Sequence, residues 1–246
     1  MSLADDIAMW MTSIVHDAGA NGVLIGLSGG IDSAVAGALA ARAMPGHVLG
    51  AILPCESDPA DAEDARLLAT TFDIETVEVD LTATYTALMA SLPDGPQLAV
   101  ANVKPRLRMT AMYFLAASRG YLVCGASNRS ERSIGYFTKF GDGGADLLPI
   151  GGLLEFEVRQ LARKLGVPQR IIDKPPSAGL WPGQTDEAEM KMSYGQLDAA
   201  LRAMDSKDPS AIPAPIISRV RQLMSASAHK RGTPPVFLPR REPRTR

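Results

Sequence analysis

The sequence predicts an α/β fold, a single domain built on a parallel sheet with helices on both faces. Three observations predict it. Short strand-like runs alternate with stretches of helical spacing from residue 4 to residue 124. The 246 residues are 46% hydrophobic and 21% charged, the balance of a globular chain with a sizeable core. A Ser/Gly turn also separates the first apolar run from an Ala-rich stretch, as a strand–turn–helix unit requires.

The elements follow in order. Ala4 to Ala18 carries Ile7, Trp10, Met11, Ile14 and Val15 at helical spacing. Val23–Leu27 is a first buried strand and Ala34–Met44 its helix. Val48–Leu53 is a second strand, ended by Pro54. Pro59 opens a helix through Phe72, with Asp61, Glu63 and Asp64 near its positive end. Glu75–Val79 is a third strand, Thr82–Ser91 a helix, Asn102–Arg119 a long helix and Tyr121–Cys124 a fourth strand. The Asn102–Arg119 helix carries Leu107, Met109, Met112, Tyr113, Phe114 and Leu115, enough apolar surface for both a core and a partner.

From Ser127 to Gln184 the chain is irregular and Gly-rich, and long loops of this kind inside compact domains are usually functional. Segments 138–152 and 175–188 are expected to be mobile active-site loops. Glu155–Leu165, a short piece opened by Val167-Pro168, Ser193–Met204 and Pro215–Ser227 are the remaining helices. Residues 229–246 form a basic tail, with six Lys/Arg against one Glu.

The totals exclude several classes. A net charge of −2 gives no general argument for nucleic-acid or membrane binding. Two cysteines, Cys55 and Cys124, without a CxxC argue against a disulfide framework or zinc site and suit a reducing compartment. No apolar run approaches the ~18–20 residues that span a bilayer. No signal peptide is visible, so a cytoplasmic location is expected.

The most informative segment is Gly26-Leu27-Ser28-Gly29-Gly30-Ile31-Asp32-Ser33. Glycines let an anion approach the backbone, and free N–H groups at a helix start favour phosphate. Asp32 adds a carboxylate suited to Mg²⁺ and Ser33 a hydroxyl. No Gly-Lys-Ser/Thr closes the turn and the glycines do not fit the dinucleotide fingerprint, so neither common nucleotide motif applies. The segment resembles the Ser-Gly-Gly-x-Asp-Ser loop of the ATP pyrophosphatases, which cleave ATP between its α- and β-phosphates.

Further motifs narrow the resemblance. Gly125–Glu131, Gly135–Asp146 and Leu148–Gly151 are similar to the NAD⁺ synthetase family, as are Lys174–Glu187, Asn102–Arg106 and His229-Lys230-Arg231. The resemblance runs from about Leu3 to Phe237. It implies a Rossmann-like fold of the adenine-nucleotide alpha-hydrolase type. The activity implied is a ligase that adenylates the nicotinate carboxylate of deamido-NAD⁺ with ATP and amidates it with ammonia, releasing AMP and pyrophosphate.

The same resemblance implies the site. ATP would lie on Gly26, Leu27, Ser28, Gly29, Gly30, Ile31, Asp32 and Ser33, with Ala126 and Ser177. Mg²⁺ would lie between Asp32 and Glu131. Deamido-NAD⁺ would meet Arg106, Lys139, Asp146, His229 and Lys230. Asp32 and Lys139 would act on the reacting groups, and the enzyme would be a homodimer. The ATP-binding strand starts near residue 22, which leaves no N-terminal room for an amidase domain; free ammonia is expected, although a separate glutaminase chain could deliver it.

Two positions depart from the family pattern. Ala126 stands where Thr is usual. Glu155 stands where a Lys usually faces the ATP phosphates, and Arg159 one turn on is placed to pair with it. This charge reversal keeps an alternative open, a nucleotide-binding paralogue that has lost amidation or adenylates another carboxylate.

Overall fold

The computed structural model describes residues 2–181 and 183–239. Met1, Pro182 of the 175–188 segment and residues 240–246 of the basic tail lie outside them. The chain runs α1 (Leu3–Asp17), β1 (Gly22–Gly26), α2 (Ile31–Ala43), β2 (Val48–Ile52), α3 (Pro59–Thr71), β3 (Glu75–Glu78), α4 (Thr82–Ser91), α5 (Gln97–Ala101), α6 (Val103–Arg119) and β4 (Tyr121–Cys124). Helices follow: α7 (Arg129–Ile134), α8 (Glu155–Leu165), α9 (Gln169–Ile172), α10 (Asp186–Met190), α11 (Tyr194–Asp205), α12 (Ala214–Ala226) and α13 (Ala228–Arg231).

All four strands are parallel, in the order β3-β2-β1-β4. Val23 pairs with Val48 on one side and Leu122 on the other. Side chains alternate between the two faces, as strand geometry dictates. Val23, Ile25, Val48 and Ile52 join a core with α1, α2, α3, α8 and α9, while Leu24, Leu49, Ala51 and Val123 join a second core under α4 and α6. A third apolar cluster, of Ile134, Leu154, Met190, Tyr194, Leu197, Leu201, Ile217 and Val220, binds the C-terminal helices to α7 and α8. The outer strand β3 is charged, and its Glu75 and Glu78 pair with Arg119 and Arg66.

The strand order places the site. The chain moves from β1 outward to β2 and β3, then returns to the other side of β1 at β4. The crevice between the carboxyl ends of β1 and β4 is therefore the topological switch point, where open parallel sheets receive ligands. The Ser28 turn leaves β1 there, and Gly125–Glu131 leaves β4 there.

The structure adds to the sequence reading at several points. Helix α2 starts at Ile31 with Gly30 as its N-cap, not at Ala34, so Asp32 and Ser33 belong to its first turn. Four short helices went unseen by periodicity, α5, α7, α10 and α13, and the last stands where the basic tail was expected to begin. Helices of four to six residues present too few turns for an apolar stripe to be visible.

Gly29 has φ of +77°, and a Cβ built on it would stand 2.4 Å from the backbone oxygen of Asp61 on α3. Gly29→Ala should therefore destabilise the fold by at least about 1–2 kcal/mol, lowering the calorimetric melting temperature by on the order of 5 °C.

Candidate active site

The turn after β1 is held by its own hydroxyls. The Ser33 Oγ accepts from the Ser28 N–H at 3.2 Å and donates to the Gly30 carbonyl at 3.0 Å, and the Ser28 Oγ lies 3.0 Å from it. Ser28 is exposed, and the turn opens at the start of α2, where the helix dipole favours an anion. A phosphate would meet preformed donors there.

Opposite, the turn after β4 brings up the second carboxylate. Asn128 is fully buried and caps α7: its Oδ1 accepts from the Glu131 N–H at 3.0 Å while a Glu131 carboxylate oxygen accepts from the Asn128 N–H at 3.2 Å. The Asn128 side-chain amide then donates to Asp32 at 3.1 Å and to Glu155 at 3.2 Å. One asparagine thus ties together the first turns of α2, α7 and α8. Glu131, read from the sequence as a cation ligand, is also half of this capping box.

Glu155 is 3% exposed. Arg159 stands 3.0 Å from its Oε1 as an ion pair, but the N–H is not aligned, and that oxygen makes no hydrogen bond among the described residues. The pair expected from the sequence is therefore formed. Arg159 also donates to the Ile172 carbonyl at 2.7 Å.

Four acids face one another here, and each titrates high. Burial raises Asp32 to about 6, opposed by Asn128 and reinforced by Asp186. Burial raises Glu131 well above the usual carboxylate range, with Asp32 and Glu155 adding to it. Glu155 is pushed up to about 9 by burial and by Asp32; the nearby Arg159 does not offset them. Asp186 is raised by burial, against hydrogen bonds from Tyr194 and Tyr136. Without a counter-charge this group cannot be fully ionised. Among the described residues no three His, Cys, Asp or Glu side chains converge as metal ligands. Two carboxylates, with waters and phosphate oxygens, suffice for Mg²⁺.

The residues expected at the second substrate assemble along α6. Arg106 donates to the Lys139 carbonyl at 3.4 Å, Lys139 Nζ to the His229 carbonyl at 2.8 Å, and Lys230 Nζ to the Gly135 and Phe137 carbonyls at 2.9 and 2.8 Å. Asp146 lies two turns away, roughly 10 Å along the helix, accepting from the Tyr113 hydroxyl at 3.2 Å and the Val123 N–H at 2.7 Å. Lys230 is spent on backbone carbonyls, so its first role is to seat α13. Ala126 packs against the core with no polar atom to offer.

Segment 175–188 is anchored at both ends. Lys174 Nζ reaches Asp61 at 2.6 Å and Asp64 at 2.8 Å on α3. Ser177 hydrogen-bonds within the segment, to the Gln184 carbonyl at 2.8 Å, and Gln184 holds the Leu180 N–H at 2.8 Å. Asp186 accepts from the Ala178 N–H at 3.0 Å. Sequence reasoning missed Asn128, Asp186, Tyr136 and Tyr194. Asn128, Tyr136 and Asp186 stand inside quoted motifs, so the signal was present; nothing marked Tyr194, which lies beyond them.

The sequence profile described as NAD synthase matches residues 3–234. The NH(3)-dependent NAD(+) synthetase of Carboxydothermus hydrogenoformans is 46% identical, over 94% of this chain and 95% of its own length. Among solved structures, the NMN synthetase of Francisella tularensis is 36% identical with a TM-score of 0.88, over 96% of this chain and 97% of its own. The NH3-dependent NAD synthetase of Campylobacter jejuni is 27% identical with a TM-score of 0.84, over 96% and 97%.

The raised carboxylates fix a sign for stability. Asp32 and Glu155 keep their protons in the folded chain to about pH 6 and 9, whereas the unfolded chain loses them near about 4. Their contribution is complete below about pH 4 and is lost as pH rises toward 9. Melting measured from pH 5 to 9 without divalent cations should show a falling Tm, and Glu155→Gln should flatten the fall above pH 6.

Proposed function

The chain belongs to the NAD synthase family, and from that premise we propose that it amidates deamido-NAD⁺ to NAD⁺ with ammonia and ATP. The observation that carries the proposal is the placement of the Ser28–Ser33 phosphate turn opposite Asn128 and Glu131 at the β1–β4 switch point. The turn N–H groups and Ser28 receive the ATP phosphates. A nicotinate carboxylate oxygen attacks the α-phosphorus, forming the acyl–phosphate bond as the bond to the β-phosphate oxygen breaks and pyrophosphate leaves. Ammonia then attacks the acyl carbon through its lone pair, AMP leaves with the C–O electrons, and the nitrogen gives up a proton.

Asp32 and Glu131 are the residues that would hold Mg²⁺. The half-buried, mutually repelling Asp32 and Glu131 and the Glu155 oxygen without a hydrogen bond fit an oxygen-liking cation. When bound, the ion supplies positive charge to the departing pyrophosphate. Arg159 is the nearest fixed cation to this cluster and stands in for the positive charge that Glu155 does not bring. Lys139, Arg106, His229 and Asp146 bind and orient the nicotinate nucleotide, and segments 138–152 and 175–188 exclude water that would hydrolyse the adenylate. A homodimer sharing the substrate across α6, whose Phe114 is exposed, completes the proposal. No helix among the described residues is long and apolar enough to cross a membrane, and we place the enzyme in the cytoplasm.

A second reading concerns the acceptor's length alone. The likeness to the Francisella NMN synthetase favours a mononucleotide with the same nicotinate carboxylate. One assay separates the two: amide formation from each acceptor with ATP and Mg²⁺, using ammonium in one arm and glutamine in the other. Turnover of deamido-NAD⁺ with ammonium, and none with glutamine, is expected; preferential turnover of the mononucleotide would install the second reading. ATP binding without amidation of either acceptor would mark a paralogue that has lost the reaction.

Ion contacts of this kind carry several kcal/mol, so Asp32→Asn and Glu131→Gln should each lower kcat/KM at least about a hundredfold. Lys139→Met should raise KM for the nicotinate nucleotide about tenfold, the weight of one charge-assisted hydrogen bond, while leaving ATP affinity unchanged in calorimetry.

A further inference from the structure

Tyr194 is the first residue of α11 and is buried, yet no step above uses it. Its hydroxyl lies 2.9 Å from one oxygen of Asp186 and 3.4 Å from an oxygen of Glu131. The other oxygen of Asp186 accepts from the Tyr136 hydroxyl at 3.0 Å and from the Ala178 N–H at 3.0 Å. Tyr136 also touches Glu189, which accepts from the Gln184 side chain at 2.8 Å, and Gln184 in turn holds Leu180. Asp186 is therefore one of the holds on segment 176–185, beside Lys104, whose Nζ donates to the Leu180 carbonyl at 3.3 Å, and Tyr194 stands between Asp186 and the carboxylate of Glu131.

We propose that Tyr194 is a positioning residue that couples cation occupancy at Glu131 to the seating of segment 176–185 through Asp186. The argument rests on one proton and two acceptors. A tyrosine hydroxyl has a single hydrogen to donate, and here two carboxylates compete for it. A cation on Glu131 takes up that carboxylate's electron density and weakens its claim. The hydroxyl then donates wholly to Asp186, and the segment is held more firmly. By reciprocity, a seated segment favours the cation by the same factor. Tyr136 provides an internal control, because its hydroxyl is shared between Asp186 and Glu189 and does not touch Glu131.

This inference rests on the assignment of Glu131 to the cation, and the experiment separates the two. The chain has two tryptophans, Trp10 in α1 and Trp181 in the hanging segment. In a Trp10→Phe background, acrylamide quenching of Trp181 reports the segment alone. It is measured with ATP present, with and without Mg²⁺, while calorimetry records Mg²⁺ binding. Mg²⁺ should reduce the quenching constant about fivefold, the weight of one hydrogen bond.

Tyr194→Phe removes no charge and little volume but leaves a buried Asp186 oxygen without its tyrosine donor; it should bring the Mg²⁺ effect below about twofold, with Tm lowered by the cost of one lost buried hydrogen bond. The same variant should weaken Mg²⁺ by the factor lost from the quenching ratio. Tyr136→Phe should raise quenching in both states and leave the ratio intact. An unchanged ratio in Tyr194→Phe, with Mg²⁺ still bound, overturns the coupling alone. No Mg²⁺ binding to the parent overturns the cation assignment and the coupling together.

Discussion

The mutual repulsion of buried and half-buried carboxylates is the constraint around which this site is arranged. Asp32, Glu131, Glu155 and Asp186 come from four different helices, and burial and proximity raise them all. Nothing in the apolar cores requires them to meet. Apart from the Arg159–Glu155 ion pair, what keeps them together is neutral: the amide of Asn128 donates to two, its backbone N–H to a third, and Tyr194 reaches Glu131 and Asp186. Neutral donors can hold acids in place without cancelling the charge that a cation and a polyphosphate use. A lysine or arginine at position 128 would relieve the repulsion and remove the attraction for a cation with it.

The sheet explains why those four helices can converge. A parallel strand order with a return past β1 leaves a gap between two neighbouring carboxyl ends, and the segments following β1 and β4 both open into it. The start of α2, whose Gly30 N-cap offers no side-chain cap, lies at the same gap. The site therefore combines a positive backbone wall with an acidic side-chain wall, a pairing that suits polyphosphate with its metal ion. The basic face along α6 is a separate region, built from Arg106, Lys139 and the backbone around His229, with the Gly-rich turn at residues 141–144 packed close against Pro105 and Met109 of α6.

Much of this was legible in the sequence. The three inner strands and the long helices announce themselves because each is either apolar throughout or carries a stripe of several turns, while the charged outer strand β3 shows only through the rhythm of its neighbours. Asp32 and Glu131 were singled out because they stand in motifs whose residue types match phosphate and metal chemistry. The hidden part has a common physical cause. Asn128, Asp186 and Tyr194 act through contacts between residues far apart in the chain, and such contacts leave no periodic trace. The partner of Glu155 was legible, since a helix sets Arg159 one turn away, but its burial beside Asp32 was not. Lys230 shows the reverse: a conspicuous basic residue whose Nζ holds two backbone carbonyls rather than pointing outward.

The anchoring of segment 175–185 has an entropic consequence. Lys174 pins one end to Asp61 and Asp64 on α3, and Asp186 pins the other to Tyr136 and Tyr194. A chain of this length with both ends fixed has already lost most of the freedom that a dangling lid would lose on closing. Pro175 and Pro176 narrow the remainder by fixing φ at its first two positions. Less of the nucleotide's binding energy is then consumed in ordering the cover, and more remains to distinguish the transition state from the ground state.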